Sequence, residues 1–137
     1  MNIKEMIERA KEAEACEDGI EWARQFDSVE GMLASDFNGK TIDYLHWYAR
    51  NVIKDRWKEA EPVISTNPWL AYSYSRDVIK GRWEEAEPVI STDPQSAYSY
   101  SRDIIKGRWE EAEPIISTES GYKECYEDHF NCKLGED

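Results

Sequence analysis

"GRWEEAEPVISTDP" at residues 81–94 recurs as "GRWEEAEPIIST" at 107–118 and as "DRWKEAEPVIST" at 55–66. Aligning Trp57, Trp83 and Trp109 with Pro62, Pro88 and Pro114 sets one constant period, with units at 41–66, 67–92 and 93–118. Units two and three are identical at 21 positions, and units one and two at 15, mostly in their second halves. A period of this length marks a stacked array in which each unit buries its apolar face on its neighbours.

Within a unit, "DPQSAYSYSRDIIKG" (93–107) reads as a first helix, A. Asp93 is placed to cap it, and Pro94 sits at the first helical position, where a missing N–H costs nothing. Asn67 and Pro68 repeat the device. Ala97, Tyr100, Ser101, Ile104 and Ile105 form a stripe of helical period, and Gly107 stands where a left-handed C-terminal residue belongs, so helix A is expected over 94–106. Asp55 takes the place of that glycine in the first unit. "RWEEAEPIIST" (108–118) reads as a second element, B, with Trp109, Ala112, Ile115 and Ile116 inward and glutamates at its positive N-terminal end. Pro114 limits B to a short helix from about Glu110, or divides it into a 3₁₀ turn and a further turn. The expected fold is all-α: a short α-solenoid of two-helix repeats.

The flanks read as helical caps. At 1–40, Ile3, Met6, Ile7 and Ala10 outline one helix, "GIEWARQF" (19–26) a second, and Asp27 with Glu30 a capping box for a third ending near Ser35. "EWAR" (21–24) echoes "WYAR" (47–50), the trace of a worn further unit. At 119–137, "SGYKECYEDHFNC" reads as a last helix before a frayed "KLGED" tail.

Twenty-nine acidic residues against 17 basic ones give a net charge of -12, which repels phosphate backbones and favours a partner with a basic surface over nucleic acid. Residues 1–40 and 119–137 hold most of the excess, with 10 acids to 5 bases and 6 to 2, while 41–118 holds 13 to 10. No apolar run approaches the ~20 residues of a membrane span, and the opening "MNIKEMIERAKEAEACEDG" fits neither signal nor transit peptide. Three cysteines are too few and odd in number for a disulfide framework, so a cytoplasmic protein is expected.

The stretch "AYSYSRDVIKGRWEEAEPVISTDP" (71–94) resembles a 26-residue helical repeat of tailed-phage and bacterial proteins of undefined function. "ACEDGIEWARQFDSVEGMLAS" (15–35) is similar to a segment that precedes such repeats and occurs in small immunity-like proteins. After Ala34 the chain departs from that pattern, with "SDFNGKTIDYLHWYAR". The resemblance implies an all-α repeat fold in a phage or mobile-element setting and supplies no active site.

The chemistry-bearing residues are sparse. Cys125, His129 and Cys132 fall at i, i+4 and i+7, on one face of a continuous helix, a possible zinc set lacking a fourth ligand. The serines of "YSYSRD" have no recurring base, since His46 and His129 are the only histidines. No cofactor is expected. Trp57, Trp83 and Trp109 read as core. Tyr72 and Tyr98 lie off the apolar stripe beside Arg76 and Arg102, either presented on the outer surface or packed between adjacent helices A. His46, Trp47, Trp69 and Leu70, which differ from their counterparts in the other units, and Arg50, the counterpart of Arg76 and Arg102, complete the expected partner surface. The leading expectation is therefore a non-enzymatic, acidic protein-interaction module, sharpest as a phage inhibitor of a host nucleic-acid-binding or defence protein. The alternatives are an immunity protein that neutralises a toxin and an enzyme or metal protein built on the C-terminal cysteines.

Overall fold

A computed structural model describes residues 1–135. Ten α-helices and no strand occur among them, in two compact units, Met1–Ile64 and the chain from Ser65 onward.

The first unit holds α1 (Ile3–Glu12), α2 (Glu17–Ala23), α3 (Val29–Leu33), α4 (Gly39–Tyr48) and α5 (Glu61–Ile64). Its core is built from Met6, Ile20, Met32, Leu45, Tyr48, Trp57 and Ile64. The cap of α3 is Ser28, whose hydroxyl accepts from the Gly31 N–H at 2.9 Å; the cap lies one residue after the expected Asp27, and the expected Asp27–Glu30 capping box does not form because Gly31 has no side chain to return the bond. A capping box does form at Asn38 and Thr41, at the start of α4.

The second unit holds α6 (Pro68–Tyr74), α7 (Glu87–Ile90), α8 (Pro94–Tyr100), α9 (Glu113–Ile116) and α10 (Ser120–Phe130). The repeat stacking is visible here. Helices α6, α8 and α10 lie side by side in order, and α7 and α9 each pack on the long helix of their own repeat and on that of the next. Asn67 and Asp93 cap α6 and α8, accepting from the N–H groups of Leu70 and Ser96, with proline in the first turn of each. The second element takes the divided form, a 3₁₀ turn (Glu84–Ala86, Glu110–Ala112) running into one α-turn that carries Pro88 or Pro114 in its first turn.

Each long repeat helix ends differently from the expectation. After Tyr48, Tyr74 and Tyr100 the helix widens to a π-turn, Ala49–Ile53, Ser75–Ile79 and Ser101–Ile105. The closing bonds run from the N–H of Lys54, Lys80 and Lys106 to the carbonyls of Ala49, Ser75 and Ser101, five residues back, at 2.7 Å. The left-handed residue is consequently the lysine, with φ of 58°, 61° and 59°, and not the following Gly81 or Gly107. The extra residue in the widened turn brings the reversal one position earlier. This explains why Asp55 can replace glycine in the first repeat: nothing left-handed is asked of it. Ser75 and Ser101 donate their hydroxyls to the carbonyls of Ala71 and Ala97, a back-bond that strains helices. Ala49 has no hydroxyl and the same π-turn, so the back-bond accompanies the widening and does not cause it. The widening also leaves Ile104 and Ile105 half-buried, while Ala97, Tyr100 and Ser101 are fully enclosed.

The C-terminal segment is a further repeat helix in register. Glu119 and Ser120 stand one period after Asp93 and Pro94, and Tyr126 stands one period after Tyr100. The tail is not frayed at Leu134, which is 3% exposed and donates its N–H to the Glu127 carboxylate at 2.7 Å. The tail residues 136 and 137 lie outside the described residues.

A Cβ at Gly107 meets nothing within 4 Å. Gly107→Ala is therefore expected to change stability by less than about 0.5 kcal/mol. Lys106→Gly is expected to raise it by up to about 1 kcal/mol by relieving the left-handed lysine, less what the freer unfolded chain takes back. Chemical denaturation midpoints of the two variants check this; the reverse ranking places the left-handed residue at the glycine.

Candidate functional site

The groups with chemical potential in the repeats are mostly engaged with one another. Arg82 forms a two-pronged ion pair with Glu87, at 2.9 and 2.8 Å. Tyr100, from the next repeat, donates its hydroxyl to Glu87 Oε2 at 2.6 Å and accepts the Trp83 N–H at 2.8 Å. The set returns one repeat on: Arg108 pairs with Glu113, Tyr126 donates to Glu113 at 2.6 Å, and the Trp109 N–H donates to Tyr126 at 2.8 Å. Arg56 grips Glu61 in the same way in the first unit. The tyrosine rings serve as well, with Tyr48 on Trp57, Tyr74 on Trp83 and Tyr100 on Trp109 at centroid distances of 5.0–5.3 Å. Helix-dipole preference alone, the reason for expecting glutamates here, does not account for Glu87 and Glu113, because each is the acceptor at a joint between repeats. The signal for that role was the strict periodic recurrence of Arg, Glu and Tyr, continued beyond residue 118 to Tyr126.

Electrostatics follow from this geometry. Burial pushes the Glu87 carboxyl toward its neutral form, but the bonds from Arg82 and Tyr100 outweigh it and hold Glu87 below the usual carboxylate range. Arg108 and Tyr126 do the same for Glu113. Burial, reinforced by the neighbouring carboxylate, pushes the hydroxyls of Tyr100 and Tyr126 well above the ordinary tyrosine range.

A second network corrects the expected partner surface. Tyr72 is 1% exposed and bonds through its hydroxyl to Asp103 on the next long helix. Arg76 lies over the Tyr72 ring at 5.1 Å, donates to its hydroxyl at 3.2 Å and pairs with Asp77. Tyr72 is thus an inter-helix contact and not an outward anchor. Tyr98 is half-buried under Arg102, whose guanidinium sits 5.2 Å from the ring and pairs with Asp103. His46 and Leu70 are also removed from the surface, at 7% and 8% exposure. His46 Nδ1 lies 3.8 Å from Asp43. These positions vary between repeats and are still interior, so variation there adjusts packing. Trp47 is half-buried, Arg50 and Arg76 are exposed, and Trp69 is 40% exposed.

The cysteines do not form the expected set. Helix α10 ends at Phe130 and Asn131 turns left-handed, at φ 50°, so Cys132 leaves the face that Cys125 and His129 share. His129 packs edge-on against Phe130 with centroids 4.7 Å apart. Among the described residues no group of three or more His, Cys, Asp or Glu side chains is placed to hold a metal ion. Of the serines in the repeated motif, Ser75 and Ser101 are buried and spend their protons on backbone carbonyls.

No helix among the described residues is long and apolar enough to cross a membrane. No family model, no curated protein and no solved structure matches the chain.

Replacing Tyr100 with Phe leaves the Trp83 N–H and part of Glu87 without a partner. Tyr100→Phe is expected to cost about 2 kcal/mol, against less than about 0.5 kcal/mol for Tyr98→Phe, measured by denaturant unfolding. The joints also set the pH range of stability. Lowered carboxyl groups contribute above their unfolded values near 4, and that contribution is lost as pH falls below them; raised tyrosines contribute below about pH 10, and that is lost above it. Melting temperature is expected to be flat between about pH 5 and 9 and to fall on both sides.

Proposed function

We propose that this chain is a non-enzymatic, acidic protein-binding module, and that Trp69 anchors the contact. The supporting observation is the placement of Trp69. Apart from Met1 it is the one exposed large hydrophobic side chain among the described residues, and the next repeat has Gln95 in its place. Its ring packs on Tyr72, centroids 5.0 Å apart, and Tyr72 is itself held by Asp103 and Arg76. An aromatic side chain backed by a held neighbour loses little conformational entropy on association, and tryptophans are among the residues that dominate interface energies.

Charge supplies the orientation. Within the repeats Glu61, Glu87, Glu113, Asp77 and Asp103 are each paired with arginine, so little of their charge is left to act at a distance. Most of the uncompensated excess belongs to residues 1–40 and 119–137. A partner with a basic surface is therefore steered by the terminal segments and held at Trp69. In the phage setting that the repeat resemblance implies, a host nucleic-acid-binding or defence protein has the required surface. A phosphate mimic in the strict sense, with acid spaced along the repeats, is disfavoured because residues 41–118 are nearly balanced, with 13 acids to 10 bases.

Affinity capture from host lysate with the native chain and with Trp69→Gln tests the proposal. A basic partner retained saturably by the native chain, weakened at least tenfold by Trp69→Gln and released by salt, is the expected result. No saturable partner at low and at physiological salt, or equal retention by both chains, overturns it.

A further inference from the structure

We infer that the first unit carries a binding site for a small organic cation, an aromatic or branched alkyl ammonium, separate from the Trp69 surface. A cavity of about 310 Å³ opens between α1, α2 and α4. Met6 and Ile20 contribute apolar lining, and Trp22, Tyr44 and Trp47 aromatic lining. Its volume is about twice the ~150 Å³ that encloses one benzene, so it takes one ring with a compact substituent.

The charged groups at the cavity are both acidic. Glu14 and Asp43 line it, and among the described residues no lysine, arginine or histidine does. His46 lies 3.8 Å from Asp43 and is not part of the lining. Lys40 interacts with Tyr44, and its ammonium is paired with Asp18 at 3.3 Å. Aromatic faces and carboxylates around an apolar volume are the requirements of an ammonium carrying hydrocarbon: the rings attract the cation through their quadrupoles, and the carboxylates balance its charge without sealing the cavity.

The position of Glu14 supports this. It follows α1 in the left-handed region, at φ 63°, where glycine is favoured, and it places negative charge at the negative end of a helix. The left-handed lysines of the repeats break only the first of these rules, since a cation suits a helix C-terminus. Glu14 breaks both, and it lines the cavity.

Trp22 and Trp47 report occupancy by fluorescence. Cys16, exposed and lining the same cavity, reports it by protection from thiol reagents in a Cys125→Ser/Cys132→Ser background. The probes are benzyltrimethylammonium, benzyl alcohol and benzylsulfonate. Expected is saturable binding of the ammonium with Cys16 protected, about tenfold tighter than the alcohol, and weaker still for the sulfonate. The double variant Glu14→Gly/Asp43→Asn should bring ammonium and alcohol within about twofold of each other. Glu14→Gly alone should unfold at a higher denaturant concentration while binding the ammonium less well, a combination that a merely structural Glu14 does not produce. Equal binding of the three probes, binding unaffected by the carboxylate variants, or no saturable binding with Cys16 still reactive overturns the inference.

Discussion

The hydroxyl of one tyrosine per repeat carries the architecture of the second unit. Tyr100 uses three faces at once. Its ring packs on Trp109 of its own repeat, its proton goes to Glu87 of the repeat before, and its oxygen accepts the otherwise unpaired N–H of Trp83. That N–H has no helical partner because it belongs to the non-helical residue preceding the 3₁₀ turn. Without the tyrosine the chain would bury a donor and a half-desolvated carboxylate together. With it, each repeat completes its neighbour, and the period of the sequence is the spacing at which this completion recurs.

The same requirement explains why the repeats hold so little free chemistry. A short repeat of one long and one very short helix has a small apolar face, so polar joints supply specificity that packing alone does not. Arg82, Glu87, Arg108 and Glu113 are committed to those joints, and Asp103, Tyr72 and Arg76 to a second line of contacts between long helices. The proposed binding surface is what the periodic scheme does not use. In the second unit that is Trp69. In the first it is the cavity lined by Trp22 and Trp47, formed where α1 and α2 replace a regular repeat.

Much of the local structure was legible in the order of residues. Asn67-Pro68 and Asp93-Pro94 start helices because a side-chain acceptor and a proline suit the same two positions in any context. The tryptophans are core because nothing else accounts for three of them at one spacing, and the proline in each second element confines it to a single turn beyond its 3₁₀ start. The π-turns were not legible. Glycine is the usual mark of a left-handed helix end, and Gly81 and Gly107 stood one residue beyond the lysines that adopt it; only the long-reach bonds from Lys80 and Lys106 show the register.

By itself the sequence determined an all-α chain, its period, its caps and the excess of acid at its ends, since all of these depend on residues near one another along the chain. Tertiary structure decided which varied residues face outward. His46 and Leu70 differ from their counterparts in the other repeats and are nonetheless buried, as is Tyr72, which recurs as the half-buried Tyr98, while Trp69 is exposed and Leu134 is tucked in. Exposure depends on which helix lies alongside, and a hydroxyl's partner in the following repeat, as between Tyr72 and Asp103, has no trace in local spacing.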